Sequence, residues 1–273
     1  MALLQVNFLS KALFRTVPLN VILPSDKIDY RTFGYANGPE HSFKTLYLLH
    51  GLLGNYTDWV SGTRIQRWAE EKNLAVIMPS GDNAFYIDKA PGNAYSEFIG
   101  KELVEVTRSM FHLSLKREDT FIAGLSMGGY GAIRNGIVFS DTFSYVGGFS
   151  AAAHLFNEED KNKGLVSSDA IFGDSRKAAL TDMNPEVALE NLIKEKRPLP
   201  KFYLSCGTED ELYNANIELR DFLKNKGADV TWDEEKRGHD WDFWDSQIKK
   251  FLDLLPLEDG SDGLGSGNVK LEK

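Results

Sequence analysis

Residues 120–131 read TFIAGLSMGGYG, an apolar, β-branched run that breaks into Gly-x-Ser-x-Gly and then takes up helical apolar spacing from Tyr130 to Val138. This order constrains the chain more than any other stretch. A serine on a tight strand-to-helix turn has strained backbone angles, and a side chain two positions away on either side would clash, so Gly124 and Gly128 suit the turn. Ser126 is then expected above the edge of a sheet, with the positive end of the next helix beneath it. A glycine-rich turn that only packs a helix on a strand would explain the pentapeptide alone, but not the partners found elsewhere in the chain.

The surrounding pattern supplies the sheet. The first thirty-five residues alternate in character, with 17–24 the clearest strand, which suggests an antiparallel start. Short apolar runs follow at 45–49, 74–78, 120–123, 144–149 and 201–205, of the kind buried on both faces of a parallel sheet. Helical stripes lie between and after them: Ile99, Leu103, Val106 and Met110; Ile217, Phe222 and Leu223; Trp244, Ile248, Phe251, Leu252 and Leu255, stopped by Pro256. The expected fold is therefore α/β: a mostly parallel central sheet with helices on both faces. Residues 1–257 are read as one domain. The stretch 151–198, with its charged residues at 157–163 and an Asn184-Pro185 helix start, is either a small cap over the site or a surface excursion. From 258 to 273 Gly, Ser and Asp dominate, and a disordered tail is expected.

Composition removes several function classes. A formal charge of −9 without a basic block argues against nucleic acid and anionic membrane as partners. No apolar run approaches a membrane span, and the N-terminus lacks the charged start and cleavage site of a signal peptide. The lone cysteine, Cys206, excludes an internal disulfide and fits a reducing compartment, so a cytoplasmic location is expected. There is no dinucleotide fingerprint, phosphate loop or metal-spaced cluster, so neither cofactor nor metal is expected. Self-association is left open.

A serine hydroxyl needs a base, and the base needs an acid to hold its tautomer. Of the five histidines, His41, His112 and His154 are most simply surface or loop residues. His239 falls in a loop after a strand at 230–232 and just before the last helix, where a base would be presented. The acid belongs on the loop after the preceding strand, where Glu209, Asp210 and Glu211 all stand. Asp210 is preferred because Gly207 lets the chain leave the strand sharply; Glu209 is second, and Glu211 is expected to be solvated. The order Ser126, Asp210, His239 is the chain order of α/β-hydrolases. For the oxyanion, the backbone N–H of Met127 is one expected donor and that of Leu52, in the glycine-flanked loop after 45–49, is the other. His50 is expected to brace that loop. Trp59, Tyr86 and Trp241, with Phe85 and Tyr95, are candidates for the pocket wall.

Taken together, the segments 48–51, Gly54-Asn55, Trp59, 121–131, 206–210, Leu212-Tyr213, Gly238-His239, Trp241 and Trp244 resemble the esterase D superfamily of α/β-hydrolases, and within it the bacterial tributyrin esterase group. The resemblance covers most of the chain. It implies a metal-free serine carboxylesterase for short acyl chains, acetyl to butyryl, with Ser126, Asp210 and His239 as triad and a small-molecule ester as partner. Aryl or feruloyl esters are a further substrate class suggested by the aromatics. The same superfamily contains S-formylglutathione hydrolases, feruloyl esterases and acyltransferases, so thioester hydrolysis and acyl transfer on one triad remain alternatives. Where similar proteins often carry Glu after the histidine this chain has Asp240, expected only to adjust loop packing.

Overall fold

The computed structural model describes residues 1–29, 31–38, 40–156 and 166–257. The charged stretch 157–163 and the tail 258–273 lie outside the described residues. One sheet organises the chain: β1 (Ala2–Ser10), β2 (Arg15–Leu23), β3 (Thr45–Leu49), β4 (Ala75–Pro79), β5 (Thr120–Leu125), β6 (Tyr145–Phe149), β7 (Lys201–Gly207) and β8 (Val230–Glu235). Their spatial order is β1-β2-β4-β3-β5-β6-β7-β8. β1 and β2 form an antiparallel hairpin, β2 joins β4 antiparallel, and every other pairing is parallel.

The helices are α1 (Asp58–Gly62), α2 (Ile65–Glu71), α3 (Tyr95–Glu97), which runs through a wider π-type turn at Phe98–Glu102 into α4 (Leu103–Met110), then α5 (Met127–Val138), α6 (Ser168–Phe172), α7 (Ser175–Ala178), α8 (Pro185–Lys194), α9 (Tyr213–Asn225) and α10 (Trp241–Leu254). They divide between the two faces of the sheet according to the period-two alternation of the strands. Leu46, Leu48, Val76, Met78, Phe121 and Ala123 meet Trp59, Trp68 and the α10 residues Phe243, Ile248 and Phe251. Tyr47, Leu49, Ile77, Ile122, Val146 and Leu204 face the other way, toward Leu103, Ile133, Leu189 and Leu223. Short β-branched strands buried on both sides thus carry two apolar layers, as their unbroken hydrophobicity anticipates. The stripe on α4 is imperfect at its end, since Met110 is exposed.

The site follows from the strand order. The chain leaves β3, adds β4 on one side, and returns to place β5 on the other, so the loops leaving β3 and β5 diverge and open a crevice at the carboxyl ends of the strands. α5 starts in that crevice and is buried from Met127 to Ile137. The 151–198 stretch contributes a 3-10 turn, Ala153–Phe156, followed beyond the undescribed residues by α6, α7 and α8. Among the described residues no helix is long and apolar enough to cross a membrane.

Candidate active site

Ser126 stands between β5 and α5 at φ +54°, ψ −116°, a left-handed conformation that costs an L-residue free energy and persists only where its surroundings impose it. Those surroundings are backbone. Ser126 N–H donates to Phe149 C=O at 2.9 Å, and its C=O accepts from Tyr130 and Ala152 N–H, each at 3.0 Å. A Cβ at Gly124 would lie 2.3 Å from the Gly128 oxygen, and one at Gly128 would lie 2.5 Å from the oxygens of His50 and Leu49. The two glycines let β5, α5 and the β3 exit approach this closely.

Asp210 and His239 come from the loops after β7 and β8. These loops are laced by backbone bonds from Thr208 N–H to Glu235 C=O at 2.9 Å and from Glu209 N–H to Arg237 C=O at 3.0 Å. Gly207 is required here for close approach as well as for the turn, because a Cβ would sit 2.1 Å from the Arg237 oxygen. His239 Nδ1 lies 2.8 Å from Asp210 Oδ2; with a carboxylate as acceptor the ring proton sits on Nδ1 and Nε2 is left to accept. The other carboxylate oxygen accepts from Leu212 N–H at 2.9 Å. Burial works against the Asp210 anion, but the bonds from His239 and Leu212 outweigh it and hold the carboxyl below its ordinary range. The His239 side chain is 37% exposed and stands edge-on to Trp244, with ring centroids 4.9 Å apart. Asp240 has a definite task, accepting from Phe243 N–H at 2.9 Å as the N-cap of α10.

The loop after β3 is set by His50. Gly81 N–H donates to His50 Nε2 at 2.8 Å, so the ring proton must be on Nδ1, which donates to Gly51 C=O at 2.7 Å. Burial lowers the basicity of this ring and keeps it neutral. Across a trans peptide the C=O and N–H point in opposite directions, so a Gly51 carbonyl drawn to His50 sends the Leu52 N–H the other way. Asn83 Oδ1 accepts from Leu53 N–H at 2.8 Å, and Tyr86 donates its hydroxyl to His50 C=O at 2.9 Å. Met127 is the first residue of α5, where a helix has no internal acceptor for its N–H.

Ser126, Asp210, His239, Leu52 and Met127 all line one cavity of about 610 Å³, with Phe85, Leu155, Trp241 and Trp244 among its apolar walls. Three of the five candidate wall residues are not there. Trp59 is 1% exposed and donates its indole N–H to Leu49 C=O at 3.0 Å; Tyr86 is fully buried beneath the β3 exit. Both stand behind the wall, because each has a polar tip satisfied by backbone of the loop it supports. Tyr95 is also elsewhere, with its hydroxyl between Asp82 and Arg15. His154, a simple loop histidine by its sequence context, is on the cavity wall. Its place just past the end of a parallel strand was the available signal. Glu209 points to Lys236 at 3.8 Å and is exposed, whereas Glu211 is exposed at the cavity edge. No group of three or more metal-ligating side chains occurs among the described residues.

Residues 10–253 match the model of a family described as putative esterase. The chain belongs to this esterase family. An acetyl esterase of Caldicellulosiruptor saccharolyticus is 41% identical to it over 263 residues, 93% of this chain and 98% of the relative. Among solved structures, the fluorophosphonate-binding serine hydrolase F of Staphylococcus aureus, with substrate bound, superposes with a TM-score of 0.82 at 33% identity, covering 93% of this chain and 98% of that one. An S-formylglutathione hydrolase of Staphylococcus aureus gives 0.81 at the same identity and coverage. The esterase is thus a hydrolase with the α/β-hydrolase fold, and its sheet order and strand-to-helix serine are what that fold prescribes.

Proposed function

We propose that the esterase hydrolyses short-chain acyl esters through an acyl-enzyme on Ser126. The observation that carries this reading is the buried Asp210 carboxylate 2.8 Å from His239 Nδ1 on the cavity that Ser126 also lines. In the cycle, His239 Nε2 takes the Ser126 proton as the hydroxyl attacks the ester carbonyl, then delivers it to the departing alcohol. The same nitrogen next activates water to release the acid, while Asp210 stays ionised. The N–H groups of Leu52 and Met127 are the proposed oxyanion donors, and each such donor typically contributes ~2.7–4 kcal/mol to transition-state stabilisation. Phe85, Trp241 and Trp244 on the wall suit acyl chains from acetyl to butyryl and leave room for aryl esters.

A thioester reading is favoured by the S-formylglutathione hydrolase relative at 33% identity, and the wall chemistry weighs against it. Besides Asp210, Asp58 and Glu211 line the cavity, and no lysine or arginine does so among the described residues. A glutathione thioester carries net negative charge, which this wall repels. The test is hydrolysis of p-nitrophenyl esters from acetate to octanoate beside S-formylglutathione, with Ser126→Ala as control. A Ser126-dependent maximum between acetate and butyrate supports the ester reading; a dominant rate on the thioester overturns it.

A further inference from the structure

The nucleophile is on the loop after β5 and the acid on the loop after β7, so the strand between them, β6, sets one against the other. At its exit, Phe149 C=O and Ala152 N–H hold both backbone groups of Ser126, at 2.9 and 3.0 Å. Between those two anchors lies Ser150, fully buried, in the left-handed region at φ +45°, with its N–H on Ser205 C=O at 2.7 Å. Its hydroxyl oxygen lies 4.0 Å from the Cys206 Sγ. The next residue, Ala151, is bound twice by Asn216 of α9: its N–H donates to Oδ1 at 3.1 Å and its C=O accepts from Nδ2 at 2.8 Å. Nδ2 also donates to Leu212 C=O at 2.9 Å, and it is the Leu212 N–H that meets Asp210 Oδ1. Asn216, like Ser150, is 0% exposed.

Burying a carboxamide completely is unfavourable unless its polar atoms find partners. Here those partners are the exit that holds Ser126 and the loop that holds Asp210. We propose that Asn216 is a positioning residue that fixes the distance and angle between nucleophile and acid by clamping the loop of Asp210 to the β6 exit. This rests on the triad reading above.

The test compares Asn216→Ala and Asn216→Ser with wild type on p-nitrophenyl acetate, recording kcat, KM and Tm. Loss of the clamp is expected to lower kcat by roughly 3–10-fold, the weight of about one neutral hydrogen bond, with KM little changed; Asn216→Ser, which keeps a small polar group at the buried position, is the second variant should Asn216→Ala fail to fold. A folded variant with wild-type kcat, or one changed only in KM, overturns the proposal. Ser126→Ala run alongside separates the two readings: turnover surviving there removes the triad itself, whereas turnover lost there but retained at the wild-type rate in the Asn216 variants removes only the positioning role.

Discussion

The two halves of the candidate triad are held by different means. Ser126 is fixed by backbone: its N–H and C=O are bonded to β6 and α5, and glycines at 124 and 128 clear space around it. His239 is half-exposed on a loop and is oriented by one side-chain contact with a buried carboxylate and the edge of Trp244. The first half is therefore broken by adding an atom, the second by removing a hydrogen bond. An elbow built from backbone is insensitive to most side-chain changes but intolerant of a methyl group, whereas the base depends on a chain of polar side chains, each of which can be removed singly.

The largest effect expected is Ser126→Ala, which should lower ester turnover by about 10⁶-fold with Tm unchanged; substantial turnover in the folded variant would end the comparison, because no nucleophile would then be held there. Asp210→Asn comes next, at about 10⁴-fold in kcat, since an amide can donate to Nδ1 and so favours the wrong tautomer. Wild-type kcat in that variant would show that His239 is oriented by its loop alone. Gly128→Ala tests the backbone-held half: its Cβ would press on the carbonyls of Leu49 and His50. It should destabilise the fold by about 1–3 kcal/mol in urea unfolding, and an unchanged midpoint would show that the elbow has slack.

Smaller effects sharpen the picture at the cavity edge and beneath it. Glu211→Gln should raise kcat/KM for 4-acetoxybenzoate, whose leaving group is anionic, by about two- to fivefold at low salt relative to phenyl acetate; equal gains on both would remove the charge argument. His50 gives a pH-dependent stability. Its folded pKa is lowered by burial from 6.5, so the unfolded chain binds more protons, and the contribution is complete above pH 6.5 and lost as pH falls below it. The stability gap between wild type and His50→Gln should accordingly narrow on acidification below that value. A constant gap would mean that the ring is not held neutral.

Much of this architecture was legible because parallel strands buried on both faces announce themselves as short apolar runs, and the elbow as a glycine pattern at the end of one. The apolar run ends at 232, but the polar Asp233, Glu234 and Glu235 extend β8 because it is an edge strand whose residues are mostly half-exposed. Strand order was not legible, as pairing between β2 and β4 or β3 and β5 joins residues far apart in sequence. Side-chain direction was the other limit. Trp59 and Tyr86 stand near the site loops in sequence, but the backbone carbonyls that draw their polar tips inward are set by the tertiary fold. Asp210, preferred over its acidic neighbours on the exit of Gly207, lies 2.8 Å from His239 Nδ1, whereas nothing in the sequence alone pointed to Asn216.

Cys206 carries a practical consequence. Its thiol is wholly enclosed beside Asp210 and kept protonated by burial, and a thiol that neither ionises nor meets solvent does not react with alkylating reagents. Because it is the chain's one cysteine, the native protein should be silent to maleimide dyes. A cysteine introduced on exposed Leu180 or Leu53 would then carry a fluorophore or spin label at a single address, with no need to alter the residue beneath the acid.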